Sequence, residues 1–123
     1  MQPLVSIVIR TLNEKECLAE LLAVLRQQDY SGEKEIVVVD NESSDGTYEL
    51  AVQSNAKLVT IKRNDFSYPL SLNRGAEVAS GQILVYLVGH ALPFRNDWLR
   101  CGLEHFRNPM VAGVYSPVIP RKG

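Results

Sequence analysis

Cysteine is scarce in this 123-residue chain, with only Cys17 and Cys101 present. They fall far apart in segments of helical spacing, and neither has a ligand-spaced partner. The pattern excludes a structural zinc site and a disulfide framework, and two buried free thiols in a reducing compartment are expected. Charge of one sign is missing as well. Thirteen Lys and Arg against fourteen Asp and Glu leave a net charge of -1, which offers nucleic acid no basic footprint and leaves no acidic tail. No apolar run approaches the ~18 residues of a membrane span. The opening Met1-Gln2-Pro3-Leu4 lacks a charged leader and a long apolar region, so no signal peptide is expected. There is no internal repeat, low-complexity tract or linker. A single soluble domain over residues 1–123 in the cytoplasm is the expectation, since this length suffices for one core.

Several signature loops are absent too. No G-x-G-x-x-G follows the first apolar run, against a dinucleotide site. No G-x-x-x-x-G-K-S/T occurs, which removes phosphate-loop NTPases, and no G-x-S-x-G elbow supports a serine hydrolase.

What is present is an alternation of apolar runs and amphipathic segments. Hydrophobic residues make up 46% of the chain and charged residues 22%, ordinary for a globular protein. Leu4 to Ile9 reads as a first strand. Asn13 with Glu16 three residues on forms a capping-box pattern, and Leu18, Leu21, Leu22 and Leu25 then share one helical face. Glu35 to Val39 is a second strand, residues 46–54 a short helix with apolar positions at Tyr48, Leu50, Ala51 and Val52, and Lys57 to Ile61 a third strand. Pro69 suits the first turn of a helix running to about Ser80, with Leu72, Ala76 and Ala79 facing inward. Ile83 to Val88 is continuously apolar and expected to be central in the sheet. Pro93 and Asn96 open a last helix with Trp98, Leu99, Gly102, Leu103 and Phe106 on one face, and Val111 to Val118 is extended. Repeated βαβ units predict a three-layer α/β/α fold with a mostly parallel, Rossmann-like sheet.

Ligands of such sheets bind beyond the carboxyl ends of the strands. Three polar clusters follow three strands there: Thr11-Leu12-Asn13-Glu14, Asp40 to Asp45, and Val88-Gly89-His90. The segment from Phe66 to Gly75 reaches the same rim. A buried strand ending on a carboxylate, as at Asp40, costs free energy unless something pairs with it, which marks Asp40 as a site residue. Asn13 fits either a helix cap or a ligand contact, Asp45 fits a cap, and Asn73 fits a ligand contact or an ordinary helix surface. His90 follows an apolar strand and a glycine, and its imidazole suits Mn²⁺ or Zn²⁺ better than Mg²⁺. His105, beside Phe106, reads as structural or solvated.

Together these pieces resemble family 2 of the inverting glycosyltransferases, which have the GT-A fold. Val5 to Glu14 is similar to their opening strand and loop. Val38 to Thr47 resembles the second-strand motif V-D-(D/N)-x-S-x-D-G-T, and Leu72-Asn73-Arg74-Gly75 with Ala79 to Leu84 matches two later segments. The resemblance implies a nucleotide-diphosphate sugar as donor, a divalent metal (Mn²⁺ or Mg²⁺), and a saccharide or lipid-linked acceptor in cell-surface polysaccharide synthesis. By position, Asp40 would match the carboxylate that reads the pyrimidine base, and Thr11, Asn13 and Glu14 would flank base and ribose. Asn41, Ser43, Asn73, Val88 and Gly89 would complete the donor site.

Two departures qualify that expectation. The D-x-D of many members, whose last Asp holds the metal, reads Val88-Gly89-His90 here, which makes His90 the metal-ligand candidate of a subgroup with histidine at that position. No carboxylate follows Glu104, so no general base can be assigned and the catalytic residue stays unknown. The chain is expected to be the N-terminal, donor-binding part of a longer catalytic domain, inactive by itself. It is also expected to self-associate through the apolar residues of 110–119 and to lie in the cytoplasm, peripheral to the inner face of a membrane. A non-catalytic nucleotide-binding or scaffold module with a degenerate GT-A fold is the alternative. A nucleotidyltransferase would want a glycine-rich, basic loop after the first strand, which Thr11 to Glu14 is not.

Overall fold

The computed structural model describes residues 2–114. Four strands, β1 (Val5–Thr11), β2 (Lys34–Asp40), β3 (Lys57–Thr60) and β4 (Ile83–Val88), form one sheet in the order β3-β2-β1-β4. Every pairing is parallel. Four helices, α1 (Lys15–Arg26), α2 (Thr47–Gln53), α3 (Tyr68–Val78) and α4 (Trp98–Glu104), connect and flank the strands.

Alternation along β1 sorts the two cores. Val5, Ile7 and Ile9 pack with Val38 of β2 against Leu18, Leu21, Leu22 and Leu25 of α1, Ala51 of α2 and Leu99 of α4. On the opposite face Val8 joins Val37, Val39 and Ile61 against Leu70 and Ala79 at the two ends of α3. These are the three expected layers. The buried side chain of Gln28 ties α4 to the turn after α1: its amide donates to Arg95 O at 2.9 Å and its carbonyl accepts from Leu99 N at 3.0 Å.

α3 lies close to the sheet because of Gly75. A Cβ there would come within 2.3 Å of Val8 Cγ1 and 3.2 Å of Val39 Cγ2. Glycine inside a helix costs about 1 kcal/mol relative to alanine. Forcing a methyl group into this contact would cost about 1–3 kcal/mol, so the glycine wins.

Several sequence expectations need correction. α3 buries Ser71 and Gly75 and packs Leu70 and the expected Ala79 beside them, but Leu72 is exposed, because a bulky leucine would hold the helix off the sheet where glycine lets it approach. β4 is at the edge of the sheet among the described residues, with Leu84 and Tyr86 exposed on the α3 face, where α3 covers β1, β2 and β3 instead. α2 buries Thr47 and Ala51 and leaves Tyr48 and Val52 exposed. Both cysteines are free, as expected, but Cys17 is half-buried and Cys101 exposed, since their helices turn other residues to the core. Met110 and Val114 are exposed as the sequence suggests, whereas residues 115–119 of that apolar segment lie outside the described residues.

At the amino-terminal end of the strands, Glu35 fastens α3 to the sheet. Its carboxylate accepts from Ser6 Oγ at 2.5 Å and Ser80 N at 2.5 Å and pairs with Lys57 Nζ at 2.9 Å, while Lys57 also donates to Val78 O at 3.0 Å. Burial pushes the Glu35 carboxyl upward, but the hydrogen bonds from Ser6, Ser80 and Lys57 and the Lys57 charge outweigh it and hold it at about 2, below its ordinary 4.5. A depressed carboxyl stabilises the fold when ionised. The contribution is complete above pH ~4.5 and is lost as pH falls toward ~2. We expect Glu35→Gln to lower stability at pH 7 by on the order of 2–3 kcal/mol and to flatten the acid limb between those values. Urea unfolding of both proteins at pH 7 and pH 3 measures this, and an unchanged acid limb would contradict it.

Candidate functional site

The loops after β1 and β2 are laced together over the strand ends. Thr11 and Asp40 are register partners at the last rung of β1 and β2, and Thr11 Oγ1 donates to Asp40 Oδ1 at 2.9 Å. Ser43 turns back onto the same carboxylate, its N–H donating to Oδ2 at 2.9 Å and its hydroxyl to Oδ1 at 2.6 Å. Asp40 is 1% exposed. The buried charge expected to need a partner is thus held by three hydrogen bonds and by no cation among the described residues. A carboxylate offers about four acceptor positions. Oδ1 has both of its own taken, which leaves one on Oδ2.

The same loops cap α1 from a distance. The capping box expected at Asn13 and Glu16 does not form: α1 begins at Lys15, and Asn13 takes a left-handed φ of 51°. The N–H groups of Asn13, Glu14 and Lys15 donate instead to Ser43 Oγ (2.8 Å), Thr47 Oγ1 (3.1 Å) and Asp45 Oδ2 (3.2 Å). Asn13 Oδ1 returns a bond by accepting from Ser44 N at 2.7 Å. Asp45 does serve its own helix, as the sequence suggested, since Oδ1 accepts from Thr47 N at 3.0 Å and from the Thr47 hydroxyl. The Thr47 hydroxyl bond, opposed by partial burial and aided by the N–H groups of Lys15 and Thr47, holds the Asp45 carboxyl below its usual range. One carboxylate therefore anchors the first turns of two helices.

β4 brings the third cluster to this rim. Gly89 N donates to Arg10 O at 2.9 Å, extending the pairing of β4 with β1. A Cβ on the buried Gly89 would meet Thr11 Cγ2 at 3.0 Å and Glu14 Cδ at 3.3 Å, so glycine permits the close approach. His90 then engages Glu14, with Nδ1 2.6 Å from Oε2. The His90 side chain is 63% exposed and that of Glu14 16%. An imidazole and a carboxylate in contact are a donor pair that suits Mn²⁺ better than Mg²⁺. No group of three His, Cys, Asp or Glu side chains is positioned to hold a metal among the described residues, so phosphate oxygens or water would have to complete any coordination.

The remaining sequence candidates divide. Asn41 is buried and braces β2 against the residues after β3: its N–H donates to Thr11 O at 3.0 Å, and its amide, oriented to satisfy its neighbours, donates to Ile61 O at 2.9 Å. Val88 ends β4 beside Arg10. Asn73 is on the exposed face of α3, outside the network. Sequence reasoning missed Glu42, whose Oε1 accepts from Arg63 N at 2.9 Å and whose φ is 54°. It also missed Arg10, whose guanidinium lies over the rings of Phe66 and Tyr68. Neither carries a local signal, since both depend on loops distant in sequence.

A parallel sheet flanked on both faces, with polar loops laced over the ends of β1 and β2 and a further cluster after β4, has the GT-A arrangement of nucleotide-sugar transferases. The sequence model of glycosyl transferase family 2 matches residues 6–123, and the chain belongs to that family. Among curated relatives it is 36% identical over 108 residues to glycosyltransferase AglE of Haloferax volcanii, covering 83% of this chain and 35% of that protein. It is 24% identical over 120 residues to the O-antigen chain rhamnosyltransferase RfbN of Salmonella typhimurium, covering 96% and 38%. Among solved structures, the mannosyltransferase PcManGT from Pyrobaculum calidifontis, in complex with GDP-Man and Mn²⁺, superposes with a TM-score of 0.78 at 27% identity over 90% of this chain and 34% of its own. TarS 1-349 of S. aureus, in complex with UDP-GlcNAc, shares the fold at a TM-score of 0.73, with 22% identity over 95% and 37%. The chain spans roughly a third of the length of these relatives.

Thr11→Val keeps the shape of the buried side chain and removes one bond to the Asp40 carboxylate. We expect a loss of about 1.5–3 kcal/mol, the range for a hydrogen bond to a charged group. Chemical denaturation measures it, and a change below ~0.5 kcal/mol would show that Ser43 alone holds the charge.

Proposed function

We propose that this chain is the donor-binding part, over residues 1–123, of an inverting glycosyltransferase that uses a nucleotide-diphosphate sugar. The observation that carries the reading is the Asp40 carboxylate: it is fixed by Thr11 and Ser43 at the end of β2 with one acceptor position of Oδ2 left for a base N–H. Support comes from the family membership and from the complexes of PcManGT with GDP-Man and Mn²⁺ and of TarS with UDP-GlcNAc. In this reading Thr11, Asn13 and Glu14 flank the nucleoside with Asn41 and Ser43, and Asn73 meets it from α3. Val88 and Gly89 line the diphosphate side, where His90, steadied by Glu14, is the protein's ligand to a divalent metal. The acceptor is a saccharide or a lipid-linked sugar of a surface polysaccharide, met in the cytoplasm at the inner face of a membrane. No helix among the described residues is long and apolar enough to cross that membrane. The general base is assigned to no residue of this chain.

The Val88-Gly89-His90 sequence in place of D-x-D favours one rival, a nucleotide-binding scaffold without catalysis. Metal dependence separates the two. In a thermal-shift panel of UDP-, GDP- and dTDP-sugars with Mn²⁺ or Mg²⁺, a donor at ~100 times its dissociation constant should stabilise the chain by about 2.7 kcal/mol. Asp40→Asn should weaken the bound donor about tenfold or more, and His90→Ala should abolish the extra tightening by Mn²⁺. Binding without metal dependence in the wild type would favour the scaffold, and no binding across the panel would overturn the donor reading.

Exposed Met110 and Val114 support a second proposal, self-association through the apolar segment they begin. We expect light scattering at high concentration to give the mass of a dimer or larger, and a monomer would contradict it.

A further inference from the structure

We propose that Arg10, Phe66 and Tyr68 form an anion subsite at the carboxyl-terminal mouth of β1 that takes a phosphoryl group of the donor diphosphate. The proposal rests on the donor reading above and adds residues to it. Arg10 pairs with Val39 of β2 and Val88 of β4, one residue before Thr11, and its partner Val88 lies two residues before His90. It therefore stands between the Asp40 end of the rim and the His90 end, where a diphosphate joining a base to a metal-bound sugar phosphate has to run. Alternation turns its side chain to the α3 face, opposite Thr11. The sheet is one strand thick at its mouth, so a ligand on the strand ends reaches side chains of both faces.

Two aromatic rings hold the guanidinium there. Arg10 Cζ is 4.5 Å from the Tyr68 ring centroid and 5.3 Å from that of Phe66. The rings meet edge to face, with centroids 5.3 Å apart and planes at 70°. This is cation–π geometry, and it limits the freedom a long side chain would lose on binding. Tyr68 is 61% exposed, so its ring adds little to the core, and the contact with Arg10 is what gives it a place.

Among the described residues no carboxylate forms an ion pair with this charge. The ion pairs among the described residues use Lys57, His90, Arg95 and Arg100, and none uses Arg10. Three rim carboxylates are engaged elsewhere: Asp40 with Thr11 and Ser43, Glu42 with Arg63, and Glu14 with His90. A half-buried guanidinium walled by rings and ion-paired with no carboxylate among the described residues presents a planar fork of N–H donors, which fits phosphoryl oxygens better than any neutral group.

Calorimetric titration with inorganic pyrophosphate, with UDP and GDP, and with uridine and guanosine tests this on the wild type, Arg10→Met, Arg10→Lys and Tyr68→Leu. Arg10→Met should weaken pyrophosphate and the nucleoside diphosphate that binds by about tenfold or more while leaving the nucleoside unchanged. Arg10→Lys should recover only part of the loss, because it lacks the fork. Tyr68→Leu, at an exposed position, should fall between wild type and Arg10→Met without changing the circular dichroism spectrum. Diphosphate binding that ignores Arg10, or an equal loss for the nucleoside, overturns the subsite. Arg10-dependent pyrophosphate binding without any nucleotide binding overturns the donor assignment alone and points to a phosphate on the acceptor.

Discussion

A buried carboxylate with no counter-charge among the described residues sets the terms for one end of this fold. Taking an ion of that size out of water costs several kcal/mol even after the protein relaxes, and Asp40 is all but covered. Three charge-assisted hydrogen bonds, from Thr11, the Ser43 hydroxyl and the Ser43 N–H, offset that cost. The price is geometric: Ser43 can reach Asp40 only if the chain doubles back after β2, through the left-handed backbone at Glu42. Once it does, Ser43, Asp45 and Thr47 stand beside the start of α1 and take its N–H groups. The end of one strand thereby positions two helices and two loops.

The rigidity of that arrangement bears on binding. A loop held by its own hydrogen bonds does not need to be ordered by a ligand, so less of the interaction free energy is spent on ordering. In the proposed function a nucleotide sugar lies along this rim, and most of the residues assigned to it are already cross-linked. The pair of His90 and Glu14 extends the cross-linking to β4. Gly89 permits it by close approach at the strand end.

Much of this was legible in the residues. Strand and helix order, the parallel sheet and the prominence of Asp40 follow from apolar runs that stop on polar turns. The errors share a cause. Asn13 and Glu16 satisfy a local capping pattern, yet side chains from the loop after β2 cap the helix, and local pattern carries no record of such partners. Leu72 reads as inward because leucine is apolar, whereas the closest approach of α3 to the sheet is made by Ser71 and Gly75. β4 looked central from its composition, but burial of a strand depends on what covers it, and α3 packs over β1 to β3. Arg10 precedes Phe66 and Tyr68 by 56 residues or more in sequence, and only the fold brings the cation to the rings.

The long reach of the α1 cap has a kinetic side. A helix with a local cap can begin to form as soon as its own residues are free to turn, but the N–H groups of Asn13, Glu14 and Lys15 find acceptors only 30 or more residues ahead. The first turn of α1 is therefore bound to a late, non-local event, the docking of β2 beside β1, and the two close or open together. Those three amide protons act as a built-in reporter, because their exchange with solvent follows the integrity of a loop to which they do not belong.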